Sequence, residues 1–146
     1  MNLSKKNIKF HEDIAIADTA FTVRGKTINK LFKNTGVAFT LSMADIDKVI
    51  PKVKRKIKLK CNELDLLLFD FLNELLFYKD TENLLFSKFK VNITKNKIYK
   101  LNANVYGEKV DPKKHKFKVD IKAITMHMFE LKKSRGIYKA RIVLDI

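Results

Sequence analysis

Residues 52–78 read KVKRKIKLKCNELDLLLFDFLNELLFY, and a change of period inside this stretch decides the fold class. From 52 to 61 the alternation is strict: Lys52, Lys54, Lys56, Lys58 and Lys60 point one way, and Val53, Ile57, Leu59 and Cys61 the other. Side chains on a strand alternate between faces, so this segment is a strand with one dry face and one very basic face. From 62 to 78 the pattern turns helical, with a wide apolar surface and a narrow polar stripe at Asp70, Asn73 and Glu74. Asn62 stands where an N-cap is expected, with Glu63 and Asp65 in the first turn, where the helix dipole favours anions. Charge interrupts this helix too often for a bilayer, so its apolar surface belongs against a sheet.

The same reading extends in both directions. Residues 18–24 alternate, with Thr19, Phe21 and Val23 on one face and Asp18, Thr22 and Arg24 on the other. Thr27 caps a helix over about 28–43, weakened by Gly36. Residues 84–93 and 97–106 form a hairpin around Thr94–Asn96. A long strand is expected over 116–131, with Phe117, Val119, Ile121, Ala123, Thr125, His127 and Phe129 on one face. Residues 137–146 close the chain as a strand. The connection through helix 28–43 suits a parallel crossover and the later hairpins suit antiparallel pairing. The expectation is an α+β two-layer sandwich: a mixed sheet of about six strands, with two main helices on one face and part of the other face wet and lined by Lys. With 146 residues, 46% of them hydrophobic, and no repeats or Pro/Gly/Ser-rich linker, the chain reads as a single domain, 1–146.

Lys and Arg number 31 against 16 Asp and Glu, a formal charge of +15. Such a field attracts RNA, anionic lipid or an acidic protein surface without saying which. The Lys52–Lys60 ladder has two readings: a rail lying along phosphates, or a solvated edge strand that Lys protects from aggregation. The one cysteine, Cys61, excludes an internal disulfide and a multi-cysteine zinc site, and it reads as a buried thiol. The opening MNLSKKNIKF has no apolar core of a secretory signal, and no uncharged apolar run is long enough for a membrane span. A reducing cytoplasm is the expected compartment, with no membrane partner.

Several chemistries are missing. GxGxxG, GxxxxGK[ST], GxSxG and HExxH do not occur, so the usual phosphate loops, the nucleophile elbow and the two-histidine zinc helix are out. No nucleophile–base pair can be named, so no enzyme is expected. Met126-His127-Met128 invites a copper reading, but on a regular strand the two Met oppose His127, and core packing of the Met pair is expected. The aromatic residues are mostly Phe on dry faces and read as core rather than as stacking platforms for bases.

Three carboxylates remain. Asp18 opens the first strand on its polar face, Asp145 is the penultimate residue, and Ile146 carries a terminal carboxylate. If the first and last strands are neighbours, the three converge; close like charges need a cation, and oxygen ligands favour Ca²⁺ or Mg²⁺. The alternative is that these are ordinary surface groups.

Several segments together resemble the archease family. They are Leu68-Phe69-Asp70-Phe71-Leu72-Asn73-Glu74-Leu75-Leu76 with Asp80-Thr81-Glu82 and Leu84-Leu85-Phe86-Ser87, then Gly107-Glu108 with Asp111-Pro112 and His115. Lys122-Ala123-Ile124-Thr125-Met126-His127 and Ala140-Arg141-Ile142-Val143-Leu144-Asp145-Ile146 follow, with Ala17-Asp18 and Gly25-Lys26-Thr27 near the start. The resemblance covers roughly residues 12–146. It implies a non-catalytic accessory protein that activates the GTP-dependent RNA ligase of tRNA splicing and RNA repair. That ligase joins 2′,3′-cyclic-phosphate or 3′-phosphate ends to 5′-hydroxyl ends, and the help falls on formation of the ligase–guanylate and on turnover. It also implies a divalent cation, calcium as usually described, held by Asp18, Asp145 and the carboxylate of Ile146. Lys122 matches a position tied to partner function, and the resemblance makes tRNA the polyanion that the Lys-rich face would contact weakly. The family's usual His before the first strand is replaced by Ala15. The alternative function is a chaperone or modulator of another tRNA-processing enzyme, such as a tRNA methyltransferase.

Overall fold

A computed structural model describes residues 5–11 and 18–146. Ala15 lies outside the described residues. The elements run β1 (Ile8–His11), β2 (Asp18–Gly25), α1 (Ile28–Met43), β3 (Val53–Cys61), α2 (Leu64–Glu82), β4 (Leu84–Lys95), β5 (Tyr99–Lys109), α3 (Pro112–His115), β6 (Ala123–Ser134) and β7 (Ile137–Asp145).

The fold is α+β, as expected, but the strands divide differently. Among the described residues they form two antiparallel sheets, ordered β1-β2-β7-β6 and β3-β5-β4, in place of one mixed sheet. The helix after β2 therefore makes no parallel crossover: β2 and β3 end up in different sheets. Both main helices span the division, α1 packing on β2 and β4, and α2 on β3 and β6. Phe21 from the first sheet, Ile57 from the second, and Phe32 and Phe71 from the helices meet in one fully buried cluster.

Polar side chains tie α1 to each sheet. Thr27 caps it by accepting from the Lys30 amide at 3.1 Å. Asn34 Nδ2 donates to the Arg24 carbonyl at 2.8 Å, and Thr40 Oγ1 donates to the Phe86 carbonyl at 2.6 Å. Gly36, a weak helix former, is required by packing: a Cβ there would come within 2.7 Å of the Phe89 ring. Helix α2 starts later and runs further than the pattern implied. Its cap is Glu63, without a side-chain bond, rather than Asn62, and it continues to Glu82 before Asn83 stops it in the left-handed conformation.

Alternation on β3 is confirmed from Val53 to Cys61, with Lys54, Lys56, Lys58 and Lys60 exposed. Lys52 leaves the ladder: it precedes the strand, and its Nζ lies 3.7 Å from a Glu108 carboxylate oxygen. Arg55, on the opposite face, pairs with Glu82 at the end of α2 at 2.6 Å. β3 is an edge strand, so its lysine row lies along an open rim.

The segment 116–131 departs most from expectation. Residues 118–122 are not strand, because Lys116 is left-handed after α3 and the Lys79 ammonium holds Asp120 and the Ile121 carbonyl. Lys79 itself is buried, and it also pairs with Asp80 at 2.6 Å. β6 begins at Ala123 and is then interrupted: Thr125 pairs with Val143 and Glu130 with Arg141, so Met126–Phe129 stand against Ile142 alone. This wide bulge reverses the pleat. Phe129 turns inward onto the α2 ring of Phe69 at 5.7 Å, while Met126 and Met128 are 54% and 40% exposed. The Met pair is thus not core. Met128 adopts a positive φ of 56°, and its carbonyl accepts from Arg141 Nε at 2.9 Å. Beyond the bulge, Arg135 and Gly136 form a tight two-residue turn with positive φ at both positions, matched to strand twist.

Candidate metal and partner site

The register of β2 on β7 sets Asp18 directly opposite Asp145. Strand alternation places both on the face away from the core, since their neighbours Phe21, Ile142 and Leu144 point inward and are fully buried. Facing residues of an antiparallel pair have Cβ atoms about 4.5–5.5 Å apart, so two carboxylates here repel unless a cation joins them. Both residues are half-buried, and neither has an ion-pair partner among the described residues. The chemistry of this donor pair, hard oxygen on both sides, fits a hard divalent cation. Ile146 follows β7 and is also half-buried. No cluster of three or more His, Cys, Asp or Glu side chains suited to a metal occurs among the described residues.

Lys122 arrives at the same edge from the other side. Its backbone N–H donates to the Asp145 carbonyl at 2.7 Å, and the next residue, Ala123, is the register partner of Asp145. Asp18, Asp145 and Lys122 are thus neighbours across three strand ends, although more than a hundred residues separate the first from the others. Lys122 is exposed, but it does not share a regular strand face with Lys116 and Lys118.

A second polar cluster sits at the start of the β3–β5 pairing. Gly107 opposes Val53 at the bulge that separates Phe86 from Lys88, and a Cβ on it would lie 1.7 Å from the Leu85 carbonyl oxygen. The adjoining Glu108 is buried. One oxygen, Oε2, accepts from the Ile50 amide at 2.8 Å, from Lys114 Nζ at 2.7 Å and from His115 Nε2 at 2.9 Å. The fully buried His115 ring accepts the Asp111 amide on Nδ1 at 2.9 Å, which puts its proton on Nε2 for Glu108. Burial pushes the Glu108 carboxyl up, but the Ile50 amide, Lys114 and His115 outweigh it and hold the group at about 2, against an ordinary 4.5. Asp111 caps the short α3 by accepting from the Lys113 and Lys114 amides, with Pro112 in the first turn. The Gly107-Glu108, Asp111-Pro112 and His115 motif is therefore a structural clasp between the loop after α1, β5 and α3. No periodicity reveals it; only the clustering of Gly, Asp-Pro and His hints at a special corner.

Comparison with known proteins follows the same lines. Residues 10–146 match the model of the Archease protein family (MTH1598/TM1083). Protein archease of Sulfurisphaera tokodaii is 37% identical over 130 residues, covering 89% of this chain and 93% of that protein. Protein archease of Pyrococcus abyssi is 38% identical over 132 residues, again 89% and 93%. The solution structure of Methanobacterium thermoautotrophicum protein 1598 superimposes with a TM-score of 0.84 at 34% identity, covering 97% of this chain and 99% of that one. A crystal structure from Thermotoga maritima, described as an archease and possible chaperone, shares the fold at a TM-score of 0.60 and 16% identity, over 93% and 98% of the two chains. The chain belongs to the archease family.

Proposed function

We propose that this protein is a non-catalytic activator of the GTP-dependent RNA ligase of tRNA splicing and RNA repair, working in the cytoplasm. It promotes guanylation of the ligase and its multiple turnover. The observation that carries the reading is the pairing of Asp18 with Asp145 beside Lys122, at one edge of the β2–β7–β6 sheet. In this reading Asp18, Asp145 and the Ile146 carboxylate hold one divalent cation, Ca²⁺ in the first instance. The cation supplies positive charge between carboxylates that otherwise repel. The chain's own residues do the rest: Asp18 and Asp145 are fixed by register on rigid strands, and Lys122 stands exposed beside them for contact with the ligase.

No helix is long and apolar enough to cross a membrane, among the described residues. The second reading is a chaperone or modulator of another tRNA-processing enzyme, such as a tRNA methyltransferase. It is favoured by the description of the Thermotoga maritima protein as a possible chaperone. Ligation by purified ligase under multiple turnover separates the two. The activator reading expects no joining by this protein alone and a rise in turnover when it is added at low stoichiometry. Sealing by the chain alone contradicts it. So does stimulation matched by an unrelated chaperone.

A further inference from the structure

We infer that the outer face of the β3-β5-β4 sheet is a docking surface for single-stranded RNA, separate from the acidic edge. Register fixes its composition. Lys54, Lys56 and Lys58 on β3 lie opposite Tyr106, Asn104 and Asn102 on the central β5, and these face Lys88, Lys90 and Asn92 on β4. Two rows of lysine thus flank a central strip of hydrogen-bonding side chains. No acidic side chain stands among these residues; the next position of β5 on this face, Glu108, is buried and held by Lys52, Lys114 and His115. None of the five lysines is ion-paired among the described residues.

Geometry selects the occupant. Same-face residues on a strand recur about every 6.6–6.8 Å, so the β3 row is a regular cationic ladder suited to a repeating polyanion. The face has no exposed apolar side chain to enter a bilayer, which sets it apart from a lipid-binding surface. A depression of about 430 Å³ lies between Lys56, Lys58 and Lys90 over Asn102 and Asn104. Tyr106 presents its ring face to this side, with Lys88 and Lys90 ammonium groups 5.1 and 5.8 Å from its centroid. An aromatic beside lysines is the pairing that stacks bases while neutralising phosphates. Asn104 Oδ1 is buried and has no hydrogen-bond partner among the described residues. A phosphate cannot satisfy such an acceptor, because it has no proton to give; a ribose 2′-hydroxyl or a base amino group can, once the Asn104 side chain turns outward. β3 and β4 are the two edges of this sheet, so edge protection by lysine accounts for both rows. It does not explain the tyrosine between them, the unmet acceptor, or the convergence of both rows on one face.

The experiment is fluorescence anisotropy of labelled single-stranded oligouridylate over a salt series, with no ligase present. Lys56→Gln/Lys58→Gln/Lys90→Gln removes three charges from the face. Lys48→Gln/Lys113→Gln/Lys118→Gln removes the same charge from exposed lysines elsewhere. Each lost phosphate contact lowers the salt slope by about 0.7, so the face variant should lose about 2 in slope and at least about tenfold in affinity at moderate salt. The control should lose less than about threefold. Thermal melts verify folding, and if the triple variant is unstable the single Lys58→Gln tests the same point through a slope loss of about 0.7. Equal losses in both triple variants overturn the inference in favour of diffuse charge. Equal affinity for the matched DNA strand overturns the assignment to RNA. Retention on anionic phospholipid vesicles without RNA binding overturns it in favour of a membrane surface.

Discussion

Glu108→Gln is the most quantitative perturbation available in this structure. The change keeps the shape of the side chain and one carbonyl oxygen to accept from the Ile50 amide and His115 Nε2, but removes the charge. A hydrogen bond to a charged acceptor contributes about 1.5–3 kcal/mol and a neutral one about 0.5–1.5. Two such buried bonds therefore lose about 2–3 kcal/mol together, and the half-exposed Lys114 adds under about 1 kcal/mol. The same contacts depress the carboxyl from 4.5 to about 2, which caps the effect at about 3 kcal/mol, less some screening by solvent around Lys52 and Lys114. The expected loss is about 2 kcal/mol, or a melting point lower by roughly 5 °C for a chain of this size. The sign with pH follows from the depressed folded value. The stabilisation is complete above about pH 4.5, where the unfolded carboxyl is ionised, and fades as pH falls toward about 2. Urea midpoints of both proteins from about pH 7 to about pH 3 read this directly, because other groups titrate equally in both. The gap should be constant at neutral pH and shrink steadily in acid. Equal midpoints at neutral pH, or a gap that survives into acid unchanged, refute the clasp.

Three further outcomes are expected. Gly107→Ala pushes a Cβ into the Leu85 carbonyl and should cost about 3 kcal/mol or prevent folding, read by thermal melts or soluble yield; a stability within about 0.5 kcal/mol of the parent contradicts the close approach. Lys122→Ala should keep its melting point, since the Asp145 contact uses the backbone, while stimulation of the ligase falls; unchanged stimulation removes Lys122 from the partner surface. Asp18→Asn and Asp145→Asn should each weaken calcium binding in calorimetric titration by at least about tenfold, because one of two facing charges is lost; affinities equal to the parent's mark both as ordinary surface groups.

What the sequence discloses divides along a physical line. Alternation over Val53–Cys61 and the apolar periodicity of α2 survive intact, because each is a local pattern enforced by one buried face. The neighbourhood of Asp18 and Asp145 was also legible as a conditional: it required only that the first long strand and the last one pair. Features that depend on tertiary competition were not. Lys52 satisfies the regular pattern, yet it precedes the strand and lies 3.7 Å from the buried Glu108 carboxylate, a neighbour no local alternation reveals. The stretch 116–122 alternates, yet Lys79 takes Asp120 and the Ile121 carbonyl and holds this stretch out of the strand. The Met126–Phe129 bulge reverses the pleat, so the odd-numbered apolar residues before and after it face opposite ways. Ala15, where the family usually has His, stands outside the described residues.

An activator acting through the acidic edge should speed guanylation of the ligase. Transfer of labelled guanylate from GTP to purified ligase is timed with this protein, with its Asp145→Asn variant, and with neither. Ligase–guanylate formation should be faster with the parent protein, dependent on divalent cation, and near the unassisted rate with Asp145→Asn at equal thermal stability. Equal acceleration by parent and variant, or none by either, rules out activation through the acidic edge.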